Sequence, residues 1–145
     1  MTLKQISVFL ENKQGTLAKA TKVFGNNAID LIALSIADTA DFGIMRCIVN
    51  KPEQALTLLA EEGFAASTTE VLAVEVPDQP GGLASVLALM DANELNVEYL
   101  YSFVRTPNEN ALIMFRVEDT EKCEALLRQN DIRLFSLEEI LASVE

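Results

Sequence analysis

Two stretches of this chain repeat each other. Leu10-Glu11-Asn12-Lys13-Gln14-Gly15-Thr16-Leu17-Ala18 aligns with Val76-Pro77-Asp78-Gln79-Pro80-Gly81-Gly82-Leu83-Ala84, so that Gly15 falls on Gly81 and Leu17 on Leu83 at an offset of 66. The same offset carries Asn27-Ala28-Ile29-Asp30-Leu31 onto Asn93-Glu94-Leu95-Asn96-Val97. Further along the offset becomes 68, with Leu58-Leu59 on Leu126-Leu127 and Phe64 on Ile132. The two extra residues fit the Pro/Asn-rich turn Thr106–Asn110. A repeat of this length decides the architecture before anything else does. The chain reads as two copies of one unit, residues 1–70 and 71–145. No Gly/Ser-rich linker separates them, which predicts that the last strand of the first copy runs close to the first strand of the second.

Each copy has the same order of elements. Ile6, Val8 and Leu10 alternate with Ser7 and Phe9, and Leu72, Val74 and Val76 alternate with Ala73 and Glu75, the period of a strand. A Gly-containing turn leads into a helix whose apolar residues recur at i, i+3, i+4 and i+7 in the second copy, Leu83, Val86, Leu87 and Met90, with Leu17, Ala20, Thr21 and Phe24 in the same places of the first. Asn26-Asn27 and Asn93 end these helices. Two strands follow in each copy, Ile29–Ala37 with Ile44–Val49 and Asn96–Arg105 with Ala111–Val117; Asp41-Phe42-Gly43 and Pro107-Asn108 turn between them. Second helices start near Pro52, whose missing N–H costs little at a first helical position, and near Asp119 or Thr120. Final strands begin near Phe64 and Ile132.

The pattern is βαββαβ twice. It predicts an α+β fold of two ferredoxin-like modules, with antiparallel sheets joined side by side and helices on one face. A module of about 70 residues alone would bury only about 60% of its surface and leave sheet edges open. The two modules are therefore expected to form one cooperative unit. Beyond Phe135 the copies diverge: Ser136-Leu137-Glu138-Glu139 has capping-box spacing, and Leu137, Ile140, Leu141 and Val144 make one apolar stripe. A short covering helix is expected there, with a frayed tail as the alternative.

Composition removes several functions. Lys+Arg number 11 against 22 Asp+Glu, a net charge of −11 that repels nucleic acid and anionic membrane surfaces. There is no histidine, so imidazole acid–base chemistry, Ser–His and Cys–His nucleophiles and His-ligated metals all fall away. Cys47 and Cys123 form no CxxC and read as small buried thiols. With no cofactor or metal motif, no leader segment and no apolar run of bilayer length, a cytoplasmic setting is the expectation.

The strand–turn–helix junction carries what chemistry there is. In Asp78-Gln79-Pro80-Gly81-Gly82-Leu83 the glycines permit positive φ and close backbone approach. The helix that follows opens with unpaired N–H groups and a partial positive charge, which suit a carboxylate. The side-chain oxygen of Asp78, or of Asn12 in the first copy, can accept hydrogen bonds from an ammonium group. Donors for a carboxylate beside an acceptor for an ammonium match a free α-amino acid. The same residues also make a good turn before a helix with no ligand at all.

This arrangement resembles the ACT domain: a strand ending in Asn/Asp, then x-Pro-Gly-x-Leu opening a helix, then Asn-x-Ile/Val-Asn and an apolar residue starting the second strand. The first copy reads Asn12-Lys13-Gln14-Gly15-Thr16-Leu17 with Asn27-Ala28-Ile29-Asp30-Leu31, and the second reads Asp78-Gln79-Pro80-Gly81-Gly82-Leu83 with Asn93-Glu94-Leu95-Asn96-Val97. The resemblance covers the whole chain and is to stand-alone tandem ACT proteins. It implies amino-acid-binding regulation of metabolic enzymes, without catalysis. Gln14 stands where the family has proline, which implies a less rigid first loop. In the family the loop of one module meets the second strand of another. Carried over, that makes Asn12 and Asp78 the loop residues, with Asp30 and Asn96 on the second strands. Pairing within the chain would combine Asn12 with Asn96 and Asp78 with Asp30; pairing of like modules between chains would combine Asn12 with Asp30 and Asp78 with Asn96.

The leading functional expectation is an amino-acid sensor, a homodimer in solution, with a separately encoded metabolic enzyme as its regulated partner. The second is an interaction module or regulatory subunit of such an enzyme with no ligand of its own. For that reading the Tyr99/Tyr101/Phe103 row is a candidate exposed interface, unless it packs against the other copy. An enzyme is the third and weakest: the adjacent pairs Glu61-Glu62 and Glu138-Glu139 point apart rather than converge on a substrate.

Overall fold

The structure, a computed structural model, describes residues 1–38, 41–103 and 110–143. In chain order the elements are β1 (Leu3–Glu11), α1 (Thr16–Asn26), β2 (Leu31–Asp38), β3 (Phe42–Val49), α2 (Pro52–Glu61), β4 (Ala65–Val76), α3 (Gly82–Ala92), β5 (Val97–Ser102), β6 (Ala111–Val117), α4 (Thr120–Gln129), β7 (Leu134–Phe135) and α5 (Leu137–Ser143). They form two compact units, Lys4–Thr69, and Glu70–Glu145 together with Met1–Leu3. The fold is α+β, built of two βαββαβ modules.

In the first unit the strands lie in the order β2-β3-β1-β4. The antiparallel registers run from Ile6↔Cys47 to Glu11↔Phe42 and from Leu31↔Val49 to Asp38↔Gly43. Strand alternation sends Ile6, Val8, Leu10, Met45, Cys47 and Val49 to one face, where Ala20, Val23 and Phe24 of α1 and Ala55 and Leu59 of α2 close over them. Full burial of a side chain the size of Phe24 contributes about 1.5–3 kcal/mol.

The second unit repeats this plan with β4 between β6 and β7, and β5 beyond β6. Leu72, Val74, Val76, Ile113, Phe115 and Val117 meet Val86 and Met90 of α3 and Cys123 and Leu127 of α4. Backbone detail repeats too. Ile29 N–H donates to Phe24 O and Leu95 N–H to Met90 O, both at 2.9 Å. The Asn27 and Asn93 amides donate to Val23 O and Leu89 O, both at 2.8 Å. The residues after these caps, Ala28 and Glu94, are left-handed at φ 55° and 57°.

The strand pairs locate the insertion. Ile36↔Met45 in the first unit corresponds to Ser102↔Ile113 in the second, an offset of 66 on one strand and 68 on the other. The two extra residues therefore lie between Ser102 and Ile113. Most of the expected turn, including Pro107 and Asn108, falls outside the described residues, as does Arg105 at the expected end of the strand.

Three expectations need correction, and one holds. Phe42 and Gly43 are not turn residues: they pair with Glu11 and Leu10, because the β1–β3 ladder continues past the expected strand end. The last strand of the second copy, Leu134–Phe135, ends as expected where the copies diverge. Ser136 stops it by capping α5, its N–H donating to Glu139 Oε1 at 3.2 Å while Glu139 N–H donates to Ser136 Oγ at 3.1 Å. The aromatic row is not exposed: Tyr101 and Phe103 are buried and Tyr99 is half-buried. Leu17 does not join the apolar face of α1, being 41% exposed at its first turn. Among the described residues no helix is long and apolar enough to cross a membrane.

Candidate functional site: the strand–turn–helix junctions

Both junctions fold by the same local rules. Gly15 and Gly81 occupy the left-handed region at φ 89° and 86°, where a Cβ costs roughly 1–2 kcal/mol. Lys13 N–H donates to Glu11 O at 2.9 Å, as Gln79 N–H does to Pro77 O at 3.0 Å. Lys19 and Ser85 N–H close the first helical turns on Gly15 O and Gly81 O, both at 2.9 Å. Neither α1 nor α3 has a side-chain cap. α2 has no side-chain cap either, though Pro52 at its start has no N–H to satisfy, whereas Asp119 caps α4 through Lys122 N–H. The two glycine junctions thus leave first-turn N–H groups to whatever occupies the space in front of them.

The turns differ in tightness. Gly82 N–H reaches Gln79 O at 3.0 Å, whereas Thr16 N–H reaches Lys13 O only at 3.4 Å. A Cβ on Gly82 would overlap the carbonyl oxygen of Pro77, so the second turn accepts only glycine there; the first is opened enough to carry Thr16. Asp78, Gln79, Pro80 and Gly81 are exposed, and Leu83 is half-buried on α3.

In the first unit a cavity of about 600 Å³ opens at the junction, with Gln14, Gly15 and Thr16 on one side. The α2–β4 turn, Glu62 to Ala65, forms the other side, and Phe9 and Phe42 a third. The Phe9 and Phe42 rings lie 5.5 Å apart at 50°. Lys19 Nζ sits 5.6 Å from the centre of the Phe64 ring, and Lys13 Nζ is 3.0 Å from Glu11 Oε2. Asn12 and Leu17 line a different, smaller hollow of about 110 Å³ with Leu10, Ile36 and Gly43; Asn12 N–H donates to Asp41 O at 2.9 Å.

Asp30 and Asn96 are not near the loop residues of their own modules. Asp30 N–H donates to Asn50 Oδ1 at 2.9 Å and Asp30 O accepts from Asn50 N–H at 3.2 Å, which ties β2 to the end of β3 far from the junction. From Phe42, opposite Glu11, to Val49, opposite Leu31, is about 23 Å along the strand. In the second unit Val76 pairs with Ala111 but Val97 with Val117, again the far end. There Asn96 lines a cavity of about 550 Å³ whose other walls include Glu94, Glu118, Asp119 and Glu121. No single module brings its loop Asx and its second-strand Asx together.

Among the described residues no group of three or more Asp, Glu or Cys has the arrangement to hold a metal ion. Burial pushes the Cys47 thiol up to about 12; burial and then the Asp119 carboxylate push the Cys123 thiol up to about 11. Neither is a nucleophile near neutral pH.

Sequence reasoning missed Phe9, Phe42, Phe64, Lys19 and Glu62 as cavity residues. Phe9 reads as one more alternating strand position, and the others are scattered along the chain. The repeat itself held the signal: the second copy has Glu75, Asn110, Ile132, Ser85 and Asn130 at those places.

The family described as ACT domain pair matches residues 1–144. No curated protein matches the chain by sequence. Among solved structures, protein BT0572 from Bacteroides thetaiotaomicron is 39% identical, with 97% of this chain and 96% of that one covered and a TM-score of 0.89. The ligand-free regulatory subunit of aspartate kinase from Thermus thermophilus is 20% identical, with 86% of this chain and 88% of that one covered and a TM-score of 0.62. Its counterpart from Thermus flavus is 15% identical, covers 98% and 92% of the two chains, and has a TM-score of 0.60. At those two identities the likeness is one of fold.

Proposed function

The chain belongs to the ACT domain pair family, a regulatory family, and from that premise we propose that it is a non-catalytic sensor of free amino acids. The ligand sits at the strand–turn–helix junctions. Its carboxylate faces the first-turn N–H groups of α1 and α3, and its ammonium faces the Asn12 or Asp78 side chain. Gly15, Gly81 and Gly82 shape the turns; Gln14, Thr16, Leu17, Gln79 and Leu83 flank them. Asp30 and Asn96 contribute from a second module, since each lies at the far end of its own. The observation that carries this reading is the pair of glycine-led helix starts without side-chain caps, repeated at one register in both units.

Binding acts by biasing assembly, and the assembly is a homodimer, with a metabolic enzyme as the regulated partner. The fold it shares with two regulatory subunits of aspartate kinase supports a partner of that general kind. The test is thermal denaturation with single amino acids. A ligand at about 100 times its dissociation constant adds about 2.7 kcal/mol, a shift of several degrees for a chain of this size. Unchanged melting with every amino acid, together with amino-acid-independent capture of an enzyme, favours the interaction-module reading instead.

A further inference from the structure

We infer that the cavity at the first junction selects amino acids with a large apolar side chain, aromatic above all. This rests on the sensor reading and names the ligand class of that site. The fold does not need the residues that build the cavity. The second module makes the same strands and helices with Glu75 in place of Phe9, Asn110 in place of Phe42 and Ser85 in place of Lys19. Exposed aromatic rings are costly unless something covers them. Phe9 and Phe42 are nonetheless 51% and 46% exposed, and both line this cavity.

Their arrangement suits a zwitterion with an apolar tail. The Phe9–Phe42 pair, with ring centres 5.5 Å apart, offers faces and edges to a third ring. The same cavity is lined by Lys19, whose ammonium is held over Phe64, and by Gly15 at the start of α1, the positive groups for a carboxylate. Glu62 lines the same cavity, beside the Lys13-paired Glu11, and at this junction takes the ammonium in place of Asn12, which lines the neighbouring smaller hollow. At about 600 Å³ the space takes a phenylalanine-sized molecule and lies in the ordinary range for small-ligand sites.

Calorimetric titration of the full chain with phenylalanine, leucine, serine and aspartate tests this, with Phe42→Asn and Phe9→Glu beside the wild type. Both substitutions install what the second module already carries, so folding should survive; an unchanged urea midpoint confirms it. The expected result is phenylalanine binding at least tenfold tighter than serine or aspartate, and at least tenfold weaker in each variant. Serine or aspartate binding as tightly as phenylalanine overturns this inference and leaves the sensor reading standing. Phenylalanine binding unchanged in both variants also overturns it, by placing the ligand elsewhere. Self-association that is lost in both variants and unaffected by phenylalanine overturns it in favour of an interface between copies. No binding of any amino acid ends both readings.

Discussion

Gly82 lies so close to Pro77 that a Cβ on the glycine would overlap the proline's carbonyl oxygen. The obstacle is backbone, so it cannot swing aside as a flexible side chain would. Gly82→Ala is therefore expected to destabilise the chain by about 1–3 kcal/mol, the range for forced overpacking. Thr16→Gly at the matching place removes no such clash and is expected to cost about 1 kcal/mol at most, through helix propensity. Urea midpoints of the two variants compare the turns directly; equal losses would show that the second turn relaxes.

Gly15 and Gly81 share a left-handed conformation, at φ 89° and 86°. Space is not the constraint, since a Cβ at either would meet nothing within 4 Å. The cost of Gly15→Ala or Gly81→Ala is conformational, about 1–2 kcal/mol each. The sites lie in different units, so a double variant should lose close to the sum. Denaturant titration of the singles and the double checks both statements.

Cys47 and Cys123 are buried, with thiols pushed up to about 12 and about 11. At pH 8 roughly a thousandth or less of either is thiolate, so folded protein should not react with a thiol reagent on the minutes timescale. Both should react at once in concentrated urea. Rapid labelling of folded protein would mean that one helix layer opens readily.

The Glu139 carboxyl is held below its ordinary range, first by the Ser136 N–H and then by Arg133. A carboxylate favoured in the folded state adds stability above its unfolded value of about 4.3 and loses it as pH falls through the lower folded value. Wild type should therefore melt above Glu139→Gln at pH 6, and the gap should close between pH 4.5 and the acid limit of folding. A gap independent of pH would assign the effect to hydrogen bonding alone.

How far the sequence carried the reading can be traced to particular residues. The 66 and 68 offsets found in the primary structure reappear as matched hydrogen bonds, matched left-handed residues and a two-residue slip between Ser102 and Ile113. Periodicity placed the helices because one face of each is buried. It failed at Phe42-Gly43, where turn-like composition was overridden by pairing with Glu11 and Leu10. The strand Leu134–Phe135 ends where the Ser136 capping box was read from its spacing. The junction motif was visible because glycine is required at its positive φ. The cavity was not, because Phe9, Phe42 and Phe64 converge only through the sheet and the α2–β4 turn. Gln14 in place of the family's proline implied a less rigid first loop, and the cavity of about 600 Å³ is at that looser first turn.

The most direct test of the account is thermal denaturation of the full chain with each proteinogenic amino acid in turn at millimolar concentration. The account predicts a rise of several degrees with at least one of them, lost on substituting the loop residues of the first module. Melting curves that superimpose for all of them would contradict it.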